Sequence, residues 1–411
     1  MRDQLDAAFF RGLTQPRMSR RQLVRAGAAG AAGLGLMGFL EACGIGGSKG
    51  TGAENVDWDK FWADQKKSGE LVFANWPYYI DIHQGTHPSL DLFTKKTGIK
   101  VDYKPVIQNN APFFAKISPV LKAGHSTGYD LMVITDGWEL TQLIENHWLI
   151  PLDQSRMPNF KKYASPAVRD PRFDPGNQYT VTWQSGMTGI AYDPKATGRK
   201  ITSVHDLWDP AFKGKVGMMS DDTELGAAGM LAAGITDQPN STPDDWQKAA
   251  DLLTKQRDDG LVRQYYDQSY IKALEDGDTW ISQAWSGDVF QANHSGYPDL
   301  KFIVPKEGVM LWHDNCMIPL HAEHPVDAME WINFYYQPQI EAMIEDWVWY
   351  LCPVPAAKEV IADKIGDPTV AKSPLVFPTP SVQKGFREYY TFKGVDDHQQ
   401  YTEIFDPIIQ S

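Results

Sequence analysis

The chain is poor in cysteine, in basic residues and in motifs for covalent or phosphate chemistry. Three of its 411 residues are Cys, which excludes a disulfide-stapled scaffold. There is no Gly-x-Ser-x-Gly elbow and no Gly-x-x-x-x-Gly-Lys-Ser/Thr loop, so the common routes to serine hydrolysis and nucleotide binding are missing. "HAEH" (321–324) falls one residue short of the zinc-protease pattern and reads as a cap at a helix start. No cofactor motif, internal repeat or metal-ligand spacing is found. The 15-residue apolar run at 26–40 is short of the roughly 20 residues a spanning helix needs. Lys and Arg number 39 against 52 Asp and Glu, a net charge of −13. That balance argues against a nucleic-acid partner and favours cationic ligands.

What is present begins with an address. "SRRQLVR" (19–25), the Gly/Ala-rich run and "EACGIGGSKGTG" (41–52) form the basic, apolar and small-residue parts of an export signal. Arg20 and Arg21 sit in a pattern that resembles a twin-arginine signal. Leu40-Glu41-Ala42-Cys43 resembles a lipobox, in which the Cys43 thiol is lipidated, although Glu41 stands where a small or apolar residue is usual. Residues 44–52 are a soft tether by composition. Residues 1–42 carry six Arg and three acids, so the remaining body has a net charge of −16. Cys316 and Cys352 are then an even pair in an oxidising compartment, either bridged or two buried thiols.

The body is long enough for two cores. Hydrophobic residues make up 42%, and there are 14 Trp. A single Trp is most simply core, so position must pick out any that serve a surface. Strands are predicted at 70–75, 99–106, 129–135, 179–183, 188–193, 214–221, 279–285 and 309–319. Helices are predicted at 56–69, 88–97, 111–124 (broken near Pro119), 136–148 (capped by Asp136), 243–257, 287–294 and 324–336. This alternation implies mostly parallel sheets with crossover helices. Ligands in such sheets bind beyond the strand carboxyl ends. There the sequence sets Trp76 and Tyr79, Thr135 and Asp136, Asp221 and Asp222, and Trp285 and Asp288. In the extended segment Trp312-His313-Asp314, the indole and carboxylate share one face. A mouth of rings and carboxylates suits an elongated organic cation.

Taken in order, "NWPYYI" (75–80), "DLFTKKTGIKV" (91–101), "YDLMVITD" (129–136), "SVHDLWDPAFKGKV" (203–216), "AWSGDVF" (284–290), "LWHDNCMIP" (311–319) and "AMEWINFYYQP" (328–338) resemble the periplasmic spermidine/putrescine-binding proteins of polyamine ABC importers. The resemblance covers roughly residues 70–356. It implies an α/β fold, a two-lobed periplasmic-binding-protein clamshell of the type II kind. Each lobe would be a mostly parallel sheet flanked by helices, with the chain crossing between lobes and hinging near 184–188 and 312–315.

The implied organisation is a signal over 1–42, then a lipidated Cys43, tether and short helix over 43–69. Lobe one would be 70–185 with 314–356, and lobe two 186–313 with 357–411. The implied ligand set is Trp76, Tyr79, Trp285 and Trp312 as walls, with Thr135, Asp136, Asp222, Glu224, Asp288 and Asp314 as polar contacts. Pro77 and Tyr78 stand where the family often has a hydroxyl residue and an acid. Leu225 stands where a Glu is expected three residues after Asp222. The implied role is a monomeric, membrane-tethered receptor that captures a polyamine and docks on a permease, with no chemistry on the ligand. A sugar or thiamine receptor on the same fold, and a secreted hydrolase, are the competing readings.

Overall fold

The computed structural model describes residues 56–294 and 299–410. Arg20, Arg21 and Cys43 lie outside the described residues. Ten strands form one mixed sheet. They are β1 (Glu70–Asn75), β2 (Lys100–Pro105), β3 (Leu131–Thr135), β4 (Thr180–Tyr192), β5 (Val216–Met219), β6 (Val262–Tyr266), β7 (Ile281–Trp285), β8 (Lys301–Ile303), β9 (Val309–Met317) and β10 (Phe386–Glu388). The order is β2-β1-β3-β9-β4-β7-β5-β6, with β10 on β9 and β8 on β4.

The β1 to β3 unit is parallel, as the alternation predicted, and so are β5, β6 and β7. The strands that join the two groups are not. β9 runs antiparallel to β3 and to β4, and β4 runs antiparallel to β7. The two short strands predicted at 179–183 and 188–193 are one 13-residue strand, buried throughout. A register shift between Thr182 and Gln184 marks its middle.

β4 and β9 each run through two cores. Val181, Trp183, Cys316 and Met317 belong to the first, around Phe73, Phe93 and Trp331. Ile190, Tyr192 and Met310 belong to the second, around Trp246, Leu253, Tyr401 and Phe405. Each fully buried large apolar side chain contributes about 1.5–3 kcal/mol. The C-terminal stretch, expected whole with the second lobe, divides: Ala357, Ile361, Val370 and Val376 pack in the first core, and Tyr390, Tyr401 and Phe405 in the second. Apolar residues spaced for two different helices there find the nearest core at each end.

Several helices follow their sequence signals. Helix Pro88–Thr97 stops at Gly98, whose φ of 78° is open to glycine at little cost. Helices Pro243–Asp258 and Pro325–Tyr335 begin with Pro in the first turn. Two local readings are corrected. Helix Asn110–Lys122 continues through Pro119. The helix after β3 starts at Trp138 with Gly137 as its cap, and Asp136 gives it no side-chain bond. Cys316 and Cys352 are both free and buried. Within 321–324, His324 takes the N-cap position of helix Pro325–Tyr335 but gives it no side-chain bond, and His321 sits in the preceding turn at φ 64°. Among the described residues, no helix is long and apolar enough to cross a membrane.

Candidate functional site

The register of β3, β9, β4 and β7 assembles the site. Thr135, the last residue of β3, pairs with Asp314 on β9, and Asp314 pairs with Gln184 on β4. Two residues along, Gly186 faces Trp312, and Thr188 faces Trp285 at the end of β7. Gly186 is needed there. A Cβ at that position would stand 2.1 Å from Cζ2 of Trp312, so the indole lies over bare backbone. Glu224 and Asp288 arrive from the first turns of the helices after β5 and β7.

Three carboxylates form the polar part. Asp314 accepts from the Tyr79 hydroxyl and the Thr135 hydroxyl, both at 2.6 Å. Glu224 accepts from the Trp285 indole at 3.0 Å, Thr188 at 2.9 Å and the Tyr389 hydroxyl at 2.7 Å. Asp288 accepts from the hydroxyls of Tyr270 at 2.6 Å and Tyr350 at 2.9 Å. The rings tie these groups together. Tyr350 lies 5.3 Å from Trp312 and 5.8 Å from Tyr79 between centroids. Tyr270 stands edge-on to Trp285 and accepts its backbone N–H at 3.0 Å.

The donors distinguish these acids from the scaffold acids. Buried Asp174 accepts three backbone N–H groups and one hydroxyl, and buried Asp327 accepts two backbone N–H groups and one hydroxyl. Those bonds fix loops. The site acids draw on hydroxyls and an indole instead. Each hydroxyl spends its proton on a carboxylate and keeps oxygen lone pairs for a further donor.

Burial controls the electrostatics. Loss of hydration pushes the Asp314 carboxyl up to about 6, against the lowering bonds from Thr135 and Tyr79. It raises Glu224 and Asp288 as well. Asp136 is half-buried by area yet walled in by protein, and loss of hydration pushes it up to about 8; Asp314 and Glu224 add to the push, and the His313 amide opposes it. Its Oδ1 accepts that amide at 2.6 Å. Neutral His313, held down at about 4 by burial, bonds Ser185 at 2.6 Å. Among the described ion pairs none involves Asp136, Glu224, Asp288 or Asp314. Among the described residues, the site therefore concentrates acids and pairs none of these four with a cationic side chain.

Of the sequence-selected residues, Tyr79, Thr135, Glu224, Trp285, Asp288, Trp312 and Asp314 fall in this linked group, and Asp136 adjoins it through His313. Trp76 is half-buried against the first core and donates its indole N–H to the Val133 carbonyl at 3.2 Å. Asp222 turns away, accepting from Thr402 at 3.0 Å. Its neighbour Asp221 caps the helix by accepting from the Glu224 amide at 3.0 Å. Counted from Asp221, Glu224 is the acid three residues on, so the expectation built on Leu225 is one place out of register. Tyr270, Tyr350 and Tyr389 were not selected by sequence. Their rings enter from three separate elements, and no strand-end signal marks them.

Residues 89–378 match the model of the bacterial extracellular solute-binding proteins. The putrescine-binding periplasmic protein SpuD of Pseudomonas aeruginosa is 30% identical over 340 residues, 78% of this chain and 86% of that protein. The spermidine/putrescine-binding periplasmic protein of Escherichia coli is 28% identical over 314 residues, 75% of this chain and 83% of that one. In fold, the chain is similar to the substrate-binding protein PotD of Streptococcus pneumoniae, with a TM-score of 0.71 and 23% identity, over 84% of this chain and 99% of that one. The architecture is accordingly the two-lobed α/β clamshell of periplasmic binding proteins. With a family match over most of its length, this chain belongs to the bacterial extracellular solute-binding proteins.

Proposed function

We propose that the protein is a receptor for a polyamine of the putrescine or spermidine type, which it delivers to the permease of an ABC importer. The observation that carries this is the set of buried acids, Asp314, Glu224 and Asp288, held among Tyr79, Tyr350, Trp285 and Trp312, with no cationic side chain paired to them among the described residues. Ammonium heads supply the missing charge, and ring faces cover the methylene spacer at about 0.5–2 kcal/mol per cation contact. A sugar would need fewer desolvated carboxylates. The names of the similar proteins support the same ligand class.

In this reading the ligand set is Tyr79, Thr135, Glu224, Trp285, Asp288, Trp312, Asp314 and Tyr350, with Asp136 and Trp76 at its border. In the same reading the lobes meet where β4 and β9 pass between the two cores, and the chain would hinge near 184–188 and 312–315. The chain acts as a monomer, exported through Arg20 and Arg21 and tethered by lipid on Cys43. Cys43→Ser should free the protein from membranes, and Lys at both Arg20 and Arg21 should stop its export; an unchanged distribution in either case removes that part of the reading.

The test of the ligand is calorimetric titration of the protein starting at Gly44, stripped by unfolding and refolding. Micromolar or tighter binding of putrescine or spermidine, weakening with salt, supports the proposal. Binding of maltose or thiamine with no heat from any polyamine overturns it.

A further inference from the structure

A second acidic group adjoins the ligand site: Glu345 lies close enough to act on Tyr79, and Gln184, which pairs with Asp314 across β4 and β9, bonds Glu341. Glu341 and Glu345 are one turn apart on helix Pro338–Val348, on its buried face. The helix ends at Trp349, whose φ of 61° reverses the chain and brings Cys352 back beneath that turn. One ligand atom from each of Glu341, Glu345 and Cys352 lies within 4.8 Å of the others. Both glutamates are fully buried, and Cys352 is 8% exposed.

Few donors reach these groups. Glu341 Oε1 accepts from the Gln184 amide at 3.2 Å and from the Cys352 thiol at 3.5 Å, and that thiol also faces the Val354 carbonyl at 3.3 Å. Glu341 Oε2 and both oxygens of Glu345 have no hydrogen-bond partner at bonding distance, although the Tyr335 hydroxyl faces Glu341, and Gln184 and the Tyr350 backbone face Glu345. An ionised carboxylate buried in this state costs several kcal/mol. Burial raises both glutamates and the Cys352 thiol, and the two acids raise the thiol further. Unpartnered oxygens from two buried carboxyl groups and one buried sulfur converge on a single enclosed point, a geometry that a bound cation would fill.

We propose that Glu341, Glu345 and Cys352 hold a divalent metal ion of the zinc class in a buried structural site. A thiolate beside two carboxylates suits zinc and disfavours calcium or magnesium, which take oxygen alone. Gln184, whose Oε1 also lacks a partner, stands beside Glu341 and offers a fourth donor. Zinc bonds of about 2.0–2.3 Å set tetrahedral ligands roughly 3.5 Å apart, a contraction that rotation of the glutamate side chains supplies. On binding, the Cys352 S–H bond and the O–H bond of each protonated glutamate break, the freed sulfur and oxygen pairs bond the metal, and every proton released leaves to solvent.

The ion would brace the ligand site. Tyr350 lies between Glu345 and Cys352, its hydroxyl bonds Asp288, and Leu351 exchanges backbone bonds with Ser185 in the middle of β4. Metal at this point fixes the segment that presents Tyr350.

The test uses the anchor-free chain starting at Gly44, isolated without chelator. About one zinc per chain is expected. After unfolding with chelator and refolding in excess cobalt, a thiolate-to-cobalt charge-transfer band is expected. Cys352→Ser should abolish the band, Cys316→Ser should retain it, and Glu345→Gln should weaken cobalt binding at least tenfold. Protein isolated without transition metal that also shows no such band in excess cobalt overturns the proposal, as does a band lost with Cys316 and kept without Cys352. Because the first readings are made on the unsubstituted chain, a variant that fails to fold does not spoil them. Loss of polyamine binding would leave the metal result standing.

Discussion

Asp314→Asn separates ligand binding from scaffold in a single substitution. The side chain is 6% exposed and its carboxyl stands at about 6 against an ordinary 3.8. That displacement is worth roughly 3 kcal/mol at about 1.4 kcal/mol per pH unit. Its sign follows from linkage. With the folded value raised, the unfolded chain loses its proton first as pH rises. Stability is therefore greatest below about 4, falls through 6, and the cost is fully present at 7. Asn removes the charge and keeps one oxygen for Tyr79 or Thr135. The ligand-free variant should unfold at pH 7.5 no lower than the parent, and up to a few degrees higher. Its affinity for putrescine should fall at least thirtyfold, since losing one partner of a buried charge pair costs about 2–5 kcal/mol. Thermal unfolding and calorimetric titration of stripped protein read the two effects. Affinity within threefold of the parent refutes the pairing of Asp314 with an ammonium group. A joint fall of affinity and melting temperature makes Asp314 a scaffold residue.

Polyamine affinity should weaken about tenfold between pH 7 and pH 5, as Asp314 takes up its proton near 6; a flat titration series across that range contradicts the reading. Gly186→Ala should displace the Trp312 ring, because the new methyl would overlap it. The variant should stay folded by circular dichroism and lose at least fivefold in affinity, within the span of one cation–ring contact, and an unchanged affinity would take Trp312 out of the wall. Tyr350→Phe deletes one hydroxyl donated to Asp288; with about 1.5–3 kcal/mol for a bond to a charged group, affinity should drop roughly tenfold or more, and a loss under twofold would place the ligand away from Asp288.

The parts legible in sequence were those with a local cause. Strand ends are marked by apolar runs that stop, so Thr135, Trp285 and Asp288 could be placed before any contact was known. Alternation along 309–319 put Trp312 and Asp314 on one face, and the register with Gly186 and Thr135 accounts for why that face matters. The parts that were not legible depend on chain reversal. β4 reads as two strands because Gln184, Ser185 and Gly186 interrupt its apolar run, yet those residues are buried where β4 lies between β9 and β7. Nothing in a local window announces that neighbour. Asp136 looks like a helix cap from its position after β3, but the nearer donor is the His313 amide of β9, more than 170 residues away. Asp221 and Asp222 are alike in sequence, and only the helix geometry decides that the first caps and the second turns toward Thr402. Tyr270, Tyr350 and Tyr389 gain their place from tertiary packing alone.

On the proposed reading, the same acids that would recognise a cation also set when the cleft should close. With no cation present, bringing the walls together strips water from Asp314, Glu224 and Asp288, and the raised carboxyls measure that penalty. Opening restores the water. The empty receptor is therefore biased toward the open form by its own ligand-binding groups. A diammonium chain reverses the bias, since it interacts with the carboxylates most strongly where they are least hydrated. A neutral molecule of the same length fills the volume but leaves the desolvated charges uncompensated, so it has little differential affinity for the closed form. Selectivity and closure would then have one physical origin, a pocket of buried carboxylates with which no cationic side chain is paired among the described residues. A single Lys or Arg placed beside Asp288 would satisfy the charge permanently, and would remove the reason for a ligand to close the cleft.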